Sequence, residues 1–394
     1  MKIAGRVFLK KGRDGPVRGG NPWIFSQAIA RVEPPALAAG DGVEIRDAGG
    51  DLLGIGYYNP NTTIAVRLLG FGAGPPPEQI VERRLRDAMR LRSRIIGPDT
   101  NCYRLVNGDG DGLSGVVADC YGDVVVIQFL TSGADGMRDE ILNALERVVA
   151  PRAVIERSQG AVRRQEGLPD RAGLLAGEPV AETVVMENGI KVAVDLEQGQ
   201  KTGYFLDQRE NRLTVRRLAQ NARVLDICCY SGGFLLAALA GGATSAVGVD
   251  TSARALGWAR RNLELNGHHV SACALVQAEA ARYLAAASDR FDLIVLDPPP
   301  LARSIKDAAH AGRLYVELNM LAMRALAPGG HLMTFSCSAH FRGEDFIRAI
   351  RTAQTRAQRH FRMLAHLGPA PDHPVLLGHP EGEYLTGLLL ADLG

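Results

Sequence analysis

The chain has 394 residues, more than one hydrophobic core usually serves, so the sequence predicts two or three domains. Hydrophobic residues make up 46% and charged residues 22%, which is typical of a globular protein and excludes a largely disordered chain. The formal net charge of +2 conceals an uneven distribution along the sequence. The basic N-terminal residues lack the apolar core of a signal peptide, and no apolar stretch is long enough for a membrane span. We therefore expect a cytoplasmic protein.

Residues 1–72 predict a small β domain, because β-rich runs at 4–9, 42–47, 52–58 and 64–69 are separated by glycine turns. The first 32 residues carry seven basic side chains against one acid, Asp14, a local excess of +6. Lys and Arg contacts to phosphates supply most sequence-independent affinity for nucleic acids, so this charge indicates an RNA-binding surface. An arginine-rich solvated surface is the alternative. The candidate RNA contacts are Lys10, Lys11, Arg13, Arg18 and Trp23, although a tryptophan in a small β domain more often packs in the core.

Residues 73–186 predict a linker helix and a central α+β domain. The glycine- and proline-rich stretch 70–77 marks a linker, and an arginine-dense helix is expected over 78–96. Its positive face could follow phosphates or simply be solvated. Strands are expected at 113–119, 124–129 and 153–157. The acidic glycine-rich stretch 107–112 lacks the closing glutamate of a calcium loop, so turns between strands are favoured.

Residues 187–394 alternate strands with helices, which predicts a parallel sheet. Within 224–250 the order is strand, glycine turn, helix, second strand and then an acid, Asp250, whose carboxylate can accept both hydroxyls of a ribose. A dinucleotide fingerprint requires glycines where this chain has Cys228 and Tyr230, so a pyrophosphate is disfavoured. A nucleoside cofactor without phosphates fits better, and a nicotinamide-dependent oxidoreductase is disfavoured.

Two further strands end in reactive residues: Asp297-Pro298-Pro299 follows residues 293–296, and Cys337 follows residues 332–335 between two serines. Ligands bind at the carboxyl ends of the strands in open parallel sheets. Since Asp226, Asp250, Asp297 and Cys337 each follow a separate predicted strand, we expect them to share one crevice.

Six cysteines lie at 102, 120, 228, 229, 273 and 337, without a Cys-x-x-Cys pair or zinc-type histidine spacing. Neither a structural metal site nor a disulfide framework is expected, and single thiols stay available for catalysis. Cys228 and Cys229 are expected to pack in the core.

Five ordered motifs carry a family resemblance: residues 199–209, 226–234, 249–252, 297–299 and 336–338. With these motifs the chain resembles the class I S-adenosylmethionine-dependent methyltransferases, and more closely the bacterial 23S rRNA (cytosine-C5) methyltransferases that carry an N-terminal PUA domain. The resemblance covers almost the whole chain. It implies an α/β methyltransferase domain at 187–394, a PUA domain at 1–72, S-adenosylmethionine as cofactor and 23S rRNA, naked or partly assembled, as partner. It leaves a homodimer open. One departure is Pro300-Leu301, where the family has a basic residue and an aromatic.

The resemblance also implies roles for particular side chains. The expected cofactor-binding residues are Lys201, Tyr204, Phe205, Asp226, Ser231, Gly232, Asp250, Thr251, Ser252, Glu279 and Asp297. Cys337 is the expected nucleophile, because a thiolate that adds to carbon 6 of cytosine makes carbon 5 reactive towards a methyl donor. Asp297 would bind the edge of the cytosine. The base that removes the carbon 5 proton is not identified by the sequence.

Three alternatives stay open. Cys337 could be a small buried residue that closes a strand. The enzyme could methylate a nitrogen of guanine or adenine in rRNA, although such enzymes often place an aromatic where this chain has Leu301 and do not need the thiol. The protein could also be an RNA-binding assembly factor without turnover, which the set Asp250, Asp297 and Cys337 argues against.

Overall fold

The computed structural model describes residues 1–74, 76–268, 272–302, 305–338 and 341–394. These residues form two compact units. The first contains Met1–Thr183, Asp195–Gly203 and Pro371–Gly382, and the second contains Val184–Val194, Tyr204–Ala370 and Glu383–Gly394. Along the described residues every helix is too short or too polar to span a bilayer. Domain boundaries at residues 72 and 186 stay a prediction.

The first unit begins with a six-stranded sheet. Its elements are β1 (Ile3–Leu9), α1 (Gly15–Arg18), β2 (Trp23–Phe25), β3 (Ile29–Glu33), β4 (Gly42–Arg46), β5 (Leu52–Tyr58) and β6 (Ile64–Phe71). The strand order is β2-β6-β5-β4-β1-β3, and β1 and β4 are parallel. All four predicted runs are strands. The sequence analysis missed β2, which has three residues, and β3, which buries none of its side chains fully.

A helix and a five-stranded sheet complete the first unit. The elements are α2 (Ile80–Ile95), β7 (Cys102–Asn107), β8 (Val116–Tyr121), β9 (Val124–Phe129), α3 (Ser132–Gly136), α4 (Arg138–Val148), β10 (Ala153–Ser158), α5 (Ala161–Gln165) and β11 (Arg171–Gly177). The strand order is β11-β10-β9-β8-β7. Apolar side chains of α2 and α4, including Leu85 and Ile141, pack with the sheet in one core. The expected linker was too long, since β6 continues to Phe71.

Arg92 is an exception to the expected positive, solvent-facing surface of α2. It is 1% exposed, its guanidinium donates to both carboxylate oxygens of Asp111 at 2.5 and 2.8 Å, and it also donates to the carbonyl oxygen of Asp372. Asp111 lies in the 3₁₀ turn Gly108–Asp111, the stretch with calcium-loop character. The structure therefore has a turn between strands here, as the sequence favoured. Asp111 in this turn neutralises the buried Arg92.

A second buried ion pair joins Arg104 of β7 to Asp119 of β8 at 2.5 Å. Asp119 is 0% exposed and also accepts a hydrogen bond from the Thr202 hydroxyl at 2.5 Å, and the Tyr121 hydroxyl lies 2.9 Å from the same threonine oxygen. The Gln200-Lys201-Thr202 part of the 199–209 motif is therefore anchored on the central sheet of the first unit.

Asp119→Ala should destabilise this unit by about 3–5 kcal/mol, because Arg104 would keep a buried charge without its partner. Urea unfolding, followed through the hydrogen exchange of β7 and β8, measures the change. Asp123→Ala is the matched control, since the Asp123–Arg152 pair is exposed on both sides and should contribute only about 0–1 kcal/mol. Equal losses in the two variants would contradict the assignment.

The second unit is built on a seven-stranded sheet preceded by a hairpin, β12 (Glu182–Glu187) and β13 (Ile190–Asp195). Strands and helices then alternate: α6 (Arg209–Leu218), β14 (Arg223–Ile227), α7 (Gly233–Ala240), β15 (Ser245–Asp250), α8 (Ala253–Leu265), β16 (Cys273–Gln277), α9 (Ala280–Ala286), β17 (Phe291–Leu296), α10 (Ala308–Ala325), β18 (Leu326–Ser336), α11 (Glu344–Ala357), β19 (Phe361–Leu367) and β20 (Thr386–Asp392). The order is β16-β15-β14-β17-β18-β20-β19. The first five strands are parallel, as the alternation predicted, and β20 is antiparallel to both neighbours.

Candidate cofactor and base site

Four predicted site residues lie on four neighbouring strands of the second unit. Asp250 ends β15, Asp226 belongs to β14, Asp297 directly follows β17 and Cys337 directly follows β18. Because the strands are parallel, their carboxyl ends meet at one edge of the sheet, where open α/β sheets bind ligands. The expectation for Asp226 was wrong in one respect, since it lies inside its strand and not after it.

Asp226 is the most unusual of these residues, because its side chain is 0% exposed and neither carboxylate oxygen has a hydrogen-bond partner among the described residues. Burial, and then the negative charges of Asp297 and Asp250, raise the pKa of this carboxyl well above its ordinary value. A buried acid that no protein group satisfies favours a ligand with hydrogen-bond donors or positive charge.

The turn after β14 has a glycine-like backbone at residues that are not glycine. Cys228 and Tyr230 have φ angles of 66° and 48°, in the left-handed region. These are the two positions where a dinucleotide fingerprint requires glycine. Gly232, with φ of 82°, then precedes α7. Non-glycine residues in this region typically carry strain of about 1–3 kcal/mol each, and such strain is concentrated at binding sites.

Asp250 stabilises this turn through its carboxylate. Oδ2 accepts a hydrogen bond from the Tyr230 backbone N–H, and Oδ1 accepts one from the Ser252 backbone N–H, both at 2.9 Å. Each carboxylate oxygen keeps a second lone pair for a further donor such as a hydroxyl. Ser252 also caps α8 by accepting from the Ala255 N–H at 3.2 Å, as predicted, and Thr251 is exposed beside it.

Glu279 has a structural role that the sequence analysis did not predict. Its carboxylate caps α9 by accepting from the backbone N–H groups of Ala281 and Arg282 at 3.3 and 3.0 Å. Its side chain is exposed at the end of the strand next to Asp250. Its contact with a nucleoside stays a prediction.

Asn262 of α8 fixes the position of Ser231 in the turn. Its carbonyl accepts from the Asn262 side chain at 3.1 Å, and Asn262 is 0% exposed and also binds the backbone of Ala193 in β13. The Ser231 hydroxyl is buried and, among the described residues, has no hydrogen-bond partner. Ser231 in the turn and Asp226 in β14, which leads into it, thus both have buried oxygens without a hydrogen-bond partner among the described residues.

Tyr204 and Phe205 pack against the turn, Tyr204 near Gly233 and Phe205 near Tyr230. A Cβ added at Gly233 would lie 2.4 Å from the Tyr204 hydroxyl oxygen, so only glycine fits at this position. The Arg212 guanidinium lies 4.5 Å from the centre of the Tyr204 ring and forms a buried ion pair with Glu187. The Phe205 ring meets the Tyr230 ring edge-on at 5.2 Å.

Lys201, by contrast, belongs to the first unit. The 199–209 motif therefore divides after Gly203 between the two units.

Gln208 and Asn211 are site residues that the sequence analysis did not assign. The Gln208 side chain donates to Asp297 Oδ2 at 2.9 Å, and its amide oxygen accepts from Asn211 at 2.6 Å. Asn211 is in turn bound to the carbonyl of Gly368 at 3.0 Å. These linked hydrogen bonds fix Asp297 Oδ2 as a hydrogen-bond acceptor. Gln208 lies in the 199–209 motif, so the signal was present without a role.

Cys337 is half-buried, and its thiol donates to the carbonyl of Pro298 at 3.6 Å. The flanking serines are fully buried and both lie within hydrogen-bond distance of the Tyr315 hydroxyl, at 2.9 Å for Ser336 and 3.1 Å for Ser338. Burial raises the pKa of Tyr315, so it stays protonated. Ser338 also accepts from the backbone after Pro300 at Leu301. The serines therefore hold the loop, and the thiol between them lies against the residue next to Asp297.

The other cysteines differ from Cys337. Cys229 is 5% exposed, and Cys228 is half-buried against the core cluster. Burial raises the pKa of both thiols above the ordinary range of a thiol, and nearby carboxylates raise it further. They fit the packing role that was expected for them. Among the described residues, no group of three or more His, Cys, Asp or Glu side chains could hold a metal ion.

The candidate RNA contacts lie in the first unit. Lys10, Lys11, Arg13 and Arg18 are exposed. Arg18 is paired with Asp14 at 2.6 Å and Asp47 at 2.8 Å, which lowers the positive charge available to phosphates.

Trp23 is half-buried within the first unit. Its ring N–H donates to Asp109 at 3.1 Å, and its ring packs edge-on against His379 at 4.3 Å. A stacking role for Trp23 stays a prediction.

The chain matches two family models. One, S-adenosylmethionine-dependent methyltransferase, covers residues 104–376, and the other, a PUA-like domain, covers residues 7–71. The ribosomal RNA large subunit methyltransferase I of Escherichia coli O139:H28 (strain E24377A / ETEC) is 39% identical over 391 residues, which span 97% of this chain and 98% of that protein. The chain belongs to the family of S-adenosylmethionine-dependent methyltransferases.

Solved structures agree on the fold. A putative S-adenosylmethionine-dependent methyltransferase from Streptococcus mutans has a TM-score of 0.83 at 23% identity, over 99% of this chain and 100% of that one. The structure of SMU.776, a putative methyltransferase complexed with SAH, has a TM-score of 0.85 at 23% identity with the same coverage. The predicted fold, an α/β methyltransferase domain with an N-terminal PUA-like domain, is confirmed, and so is S-adenosylmethionine as the cofactor.

The residues present suit this cofactor. The unsatisfied Asp226 carboxylate can accept from or neutralise a positive group, Asp250 has lone pairs for ribose hydroxyls, and the left-handed turn brings backbone close to a ligand. The cofactor supplies an electrophilic methyl group on a sulfonium.

Asp226→Asn should remove a pH dependence of the stability of the cofactor-free protein. An unfolded aspartate titrates near pH ~3.9, whereas the folded pKa of Asp226 is raised, so between these values the folded state holds a proton that unfolding releases. The contribution of the protonated carboxyl is present below the unfolded pKa and is lost as pH rises through the folded pKa. Thermal unfolding at a series of pH values should show a wild-type melting temperature that falls more steeply than that of the variant. Parallel curves would contradict the assignment.

Proposed function

We propose that the protein transfers a methyl group from S-adenosylmethionine to carbon 5 of a cytosine in 23S rRNA, through a covalent adduct of Cys337. The observation that carries the proposal is the position of the Cys337 thiol, half-buried after β18 and bonded to the carbonyl next to Asp297. The relative's name, ribosomal RNA large subunit methyltransferase I, supports large-subunit rRNA as the substrate.

The chemistry requires a nucleophile because carbon 5 of cytosine is too poor a nucleophile to attack a methyl sulfonium. Addition of the Cys337 thiolate would form a sulfur–carbon 6 bond and move electron density to carbon 5. Carbon 5 would then bond to the methyl group as the methyl–sulfonium bond breaks, with S-adenosylhomocysteine as the leaving group. Loss of the proton from carbon 5 and release of the thiolate restore the aromatic ring. The protein must therefore hold the thiol near the base and keep water away.

Asp297 would bind the base and not attack it. Its Oδ2 is fixed as an acceptor by Gln208. The other oxygen can accept from the exocyclic amine of cytosine or, when protonated, donate to N3. We propose Gln208 and Asn211 as positioning residues that hold Asp297 in this orientation. Enzymes that methylate a base nitrogen do not need a thiol, so the position of Cys337 disfavours that alternative.

On the cofactor side we propose that Asp250 accepts the ribose hydroxyls and that Asp226 and Ser231 face the methionine end. Tyr204, Phe205 and Lys201 would cover that end. Thr251, Ser252, Glu279 and Gly232 would complete the contacts to the nucleoside.

We further propose that the N-terminal PUA-like domain contributes affinity for rRNA and no chemistry, through Lys10, Lys11, Arg13, Arg18 and Trp23. The substrate would be 23S rRNA that is naked or partly assembled, and the compartment would be the cytoplasm. A homodimer is compatible with this function but is not needed for it.

Cys337→Ala should abolish methyl transfer while cofactor affinity stays unchanged, because the thiol acts on the base and not on the sulfonium. Transfer from tritiated S-adenosylmethionine to unmodified 23S rRNA measures the first quantity, and calorimetry measures the second. RNA with 5-fluorocytosine at the target cannot lose a carbon 5 proton, so the wild-type protein should be trapped as an adduct stable in denaturing gels.

The matched control is Cys273→Ala, which removes a buried thiol of β16 and should still form the adduct. Formation of 5-methylcytosine by Cys337→Ala would refute the covalent mechanism. Active wild-type protein that gives no adduct would favour methylation of a nitrogen.

A further inference from the structure

A cleft of about 270 Å³ opens in the first unit between the end of the six-stranded sheet and α2. Its apolar surface includes Leu68 and Phe71 from the sheet and Leu91 from the helix. Pockets for drug-sized ligands are typically about 300–1,000 Å³, so this cleft suits one small planar group. None of the residues discussed above as cofactor or catalytic residues lines it.

Two large apolar side chains of this cleft are exposed. Phe71 is 38% exposed and Leu91 is 37% exposed. Trp23, a candidate RNA contact from the sequence, is bonded to Asp109 and packed on His379. Phe71 is therefore the aromatic ring that the cleft offers to a ligand.

Arg84 supplies a positive charge in the same cleft. Its Nε and Nη2 donate to the carbonyl of Leu69 at 3.2 and 2.8 Å, which fixes the guanidinium. Burial lowers the pKa of Arg84, and the nearby Asp87 carboxylate opposes this effect without a direct ion pair among the described residues. Gly112 allows this position, because a Cβ there would lie 2.7 Å from the Arg84 Nε. A fixed, unpaired guanidinium favours a ligand with hydrogen-bond acceptors.

The exposed surface of α2 next to the cleft is also positive. Arg83, Arg90 and Arg94 are exposed, and their spacing of seven and four residues places them on one stripe of the helix. Arg84 and Leu91, which line the cleft, lie on the neighbouring stripe. Arg90 has a loose contact with Asp87 at 3.8 Å, in which both side chains are largely exposed. The cleft is thus bordered by a row of arginines. Each of the three carboxylates that line it has a partner: Asp87 contacts Arg90, Asp109 accepts from Trp23 and Asp111 pairs with Arg92.

We propose that this cleft binds one unpaired nucleobase of the RNA. The base would stack on Phe71 beside Leu91, Arg84 would donate to a carbonyl or ring nitrogen of the base, and the adjoining phosphates would lie along Arg83, Arg90 and Arg94. Single-stranded RNA is recognised by this combination of a stacking ring and a positive track. This base differs from the methylated cytosine, because the cleft residues include no thiol. The inference rests on the proposed function for its choice of RNA as ligand.

The test compares Phe71→Ala with Phe25→Ala in the full-length protein. Phe25 is the matched control, since it is 40% exposed in the same sheet and does not line the cleft. Fluorescence anisotropy measures binding of a short labelled single-stranded RNA of mixed sequence and of the same strand annealed to its complement. Stacking of a base on an aromatic ring is worth about 1–3 kcal/mol, so Phe71→Ala should weaken single-strand binding by about 5- to 150-fold. Duplex binding should not change, because paired bases cannot enter.

A second pair of variants covers the opposite wall. Leu91→Asp should weaken single-strand binding, whereas Leu174→Asp, at a leucine of β11 that is 43% exposed and outside the cleft, should not. Equal affinities of Phe71→Ala and Phe25→Ala for the single strand would overturn the proposal. An effect of Leu91→Asp on assembled ribosomal particles alone, with free RNA bound normally, would mean that a protein occupies the cleft and would also overturn it.

Methyl transfer separates this proposal from the proposed function. With 23S rRNA as substrate, Phe71→Ala should raise KM for RNA and leave kcat unchanged, because the cleft contributes only binding. If the wild-type protein methylates rRNA and the cleft variants bind like their controls, the cleft inference alone fails. If the wild-type protein transfers no methyl group to rRNA while Phe71→Ala still loses single-strand affinity, the proposed function alone fails.

Discussion

Asp226 lies on β14, Asp250 ends β15 and Asp297 directly follows β17, so three carboxylates meet at one edge of the parallel sheet. Asp226 has the least favourable position, since burial and the two other carboxylates raise its pKa and no described group bonds to it. A cationic ligand with hydroxyl groups at this edge relieves both the charge repulsion and the missing hydrogen bonds. S-adenosylmethionine has these properties. The position of the acids therefore supports our proposal that the cofactor binds at this part of the sheet.

On the side of the site proposed for the base, buried polar side chains position Cys337 and Asp297 through hydrogen bonds. Tyr315 holds the serines on both sides of Cys337, and Gln208 holds one oxygen of Asp297. In each case the supporting groups, Tyr315 and Gln208, are buried. Such support is what a nucleophile and a base-binding acid need, because small errors in position are costly in catalysis.

Much of this arrangement could be predicted from the sequence. Parallel strands that are buried on both faces appear in the sequence as apolar runs, and the reactive residues follow at the ends of these runs. The runs before Asp250, Asp297 and Cys337 were identified correctly for this reason. Long-range polar contacts were not accessible: nothing near Tyr315 in sequence indicates that it bonds to Ser336 and Ser338. The buried role of Arg92 was missed because helical periodicity does not reveal which arginine finds an acid in a distant turn.

The position of the transferred methyl group tests the central claim most directly. Wild-type protein is incubated with unmodified 23S rRNA and S-adenosylmethionine that carries a deuterated methyl group, and the RNA is digested to nucleosides for mass spectrometry. The account predicts the label in 5-methylcytidine, since the thiol of Cys337 serves only to activate carbon 5. Label in a methylated guanosine or adenosine, with none in 5-methylcytidine, would contradict it.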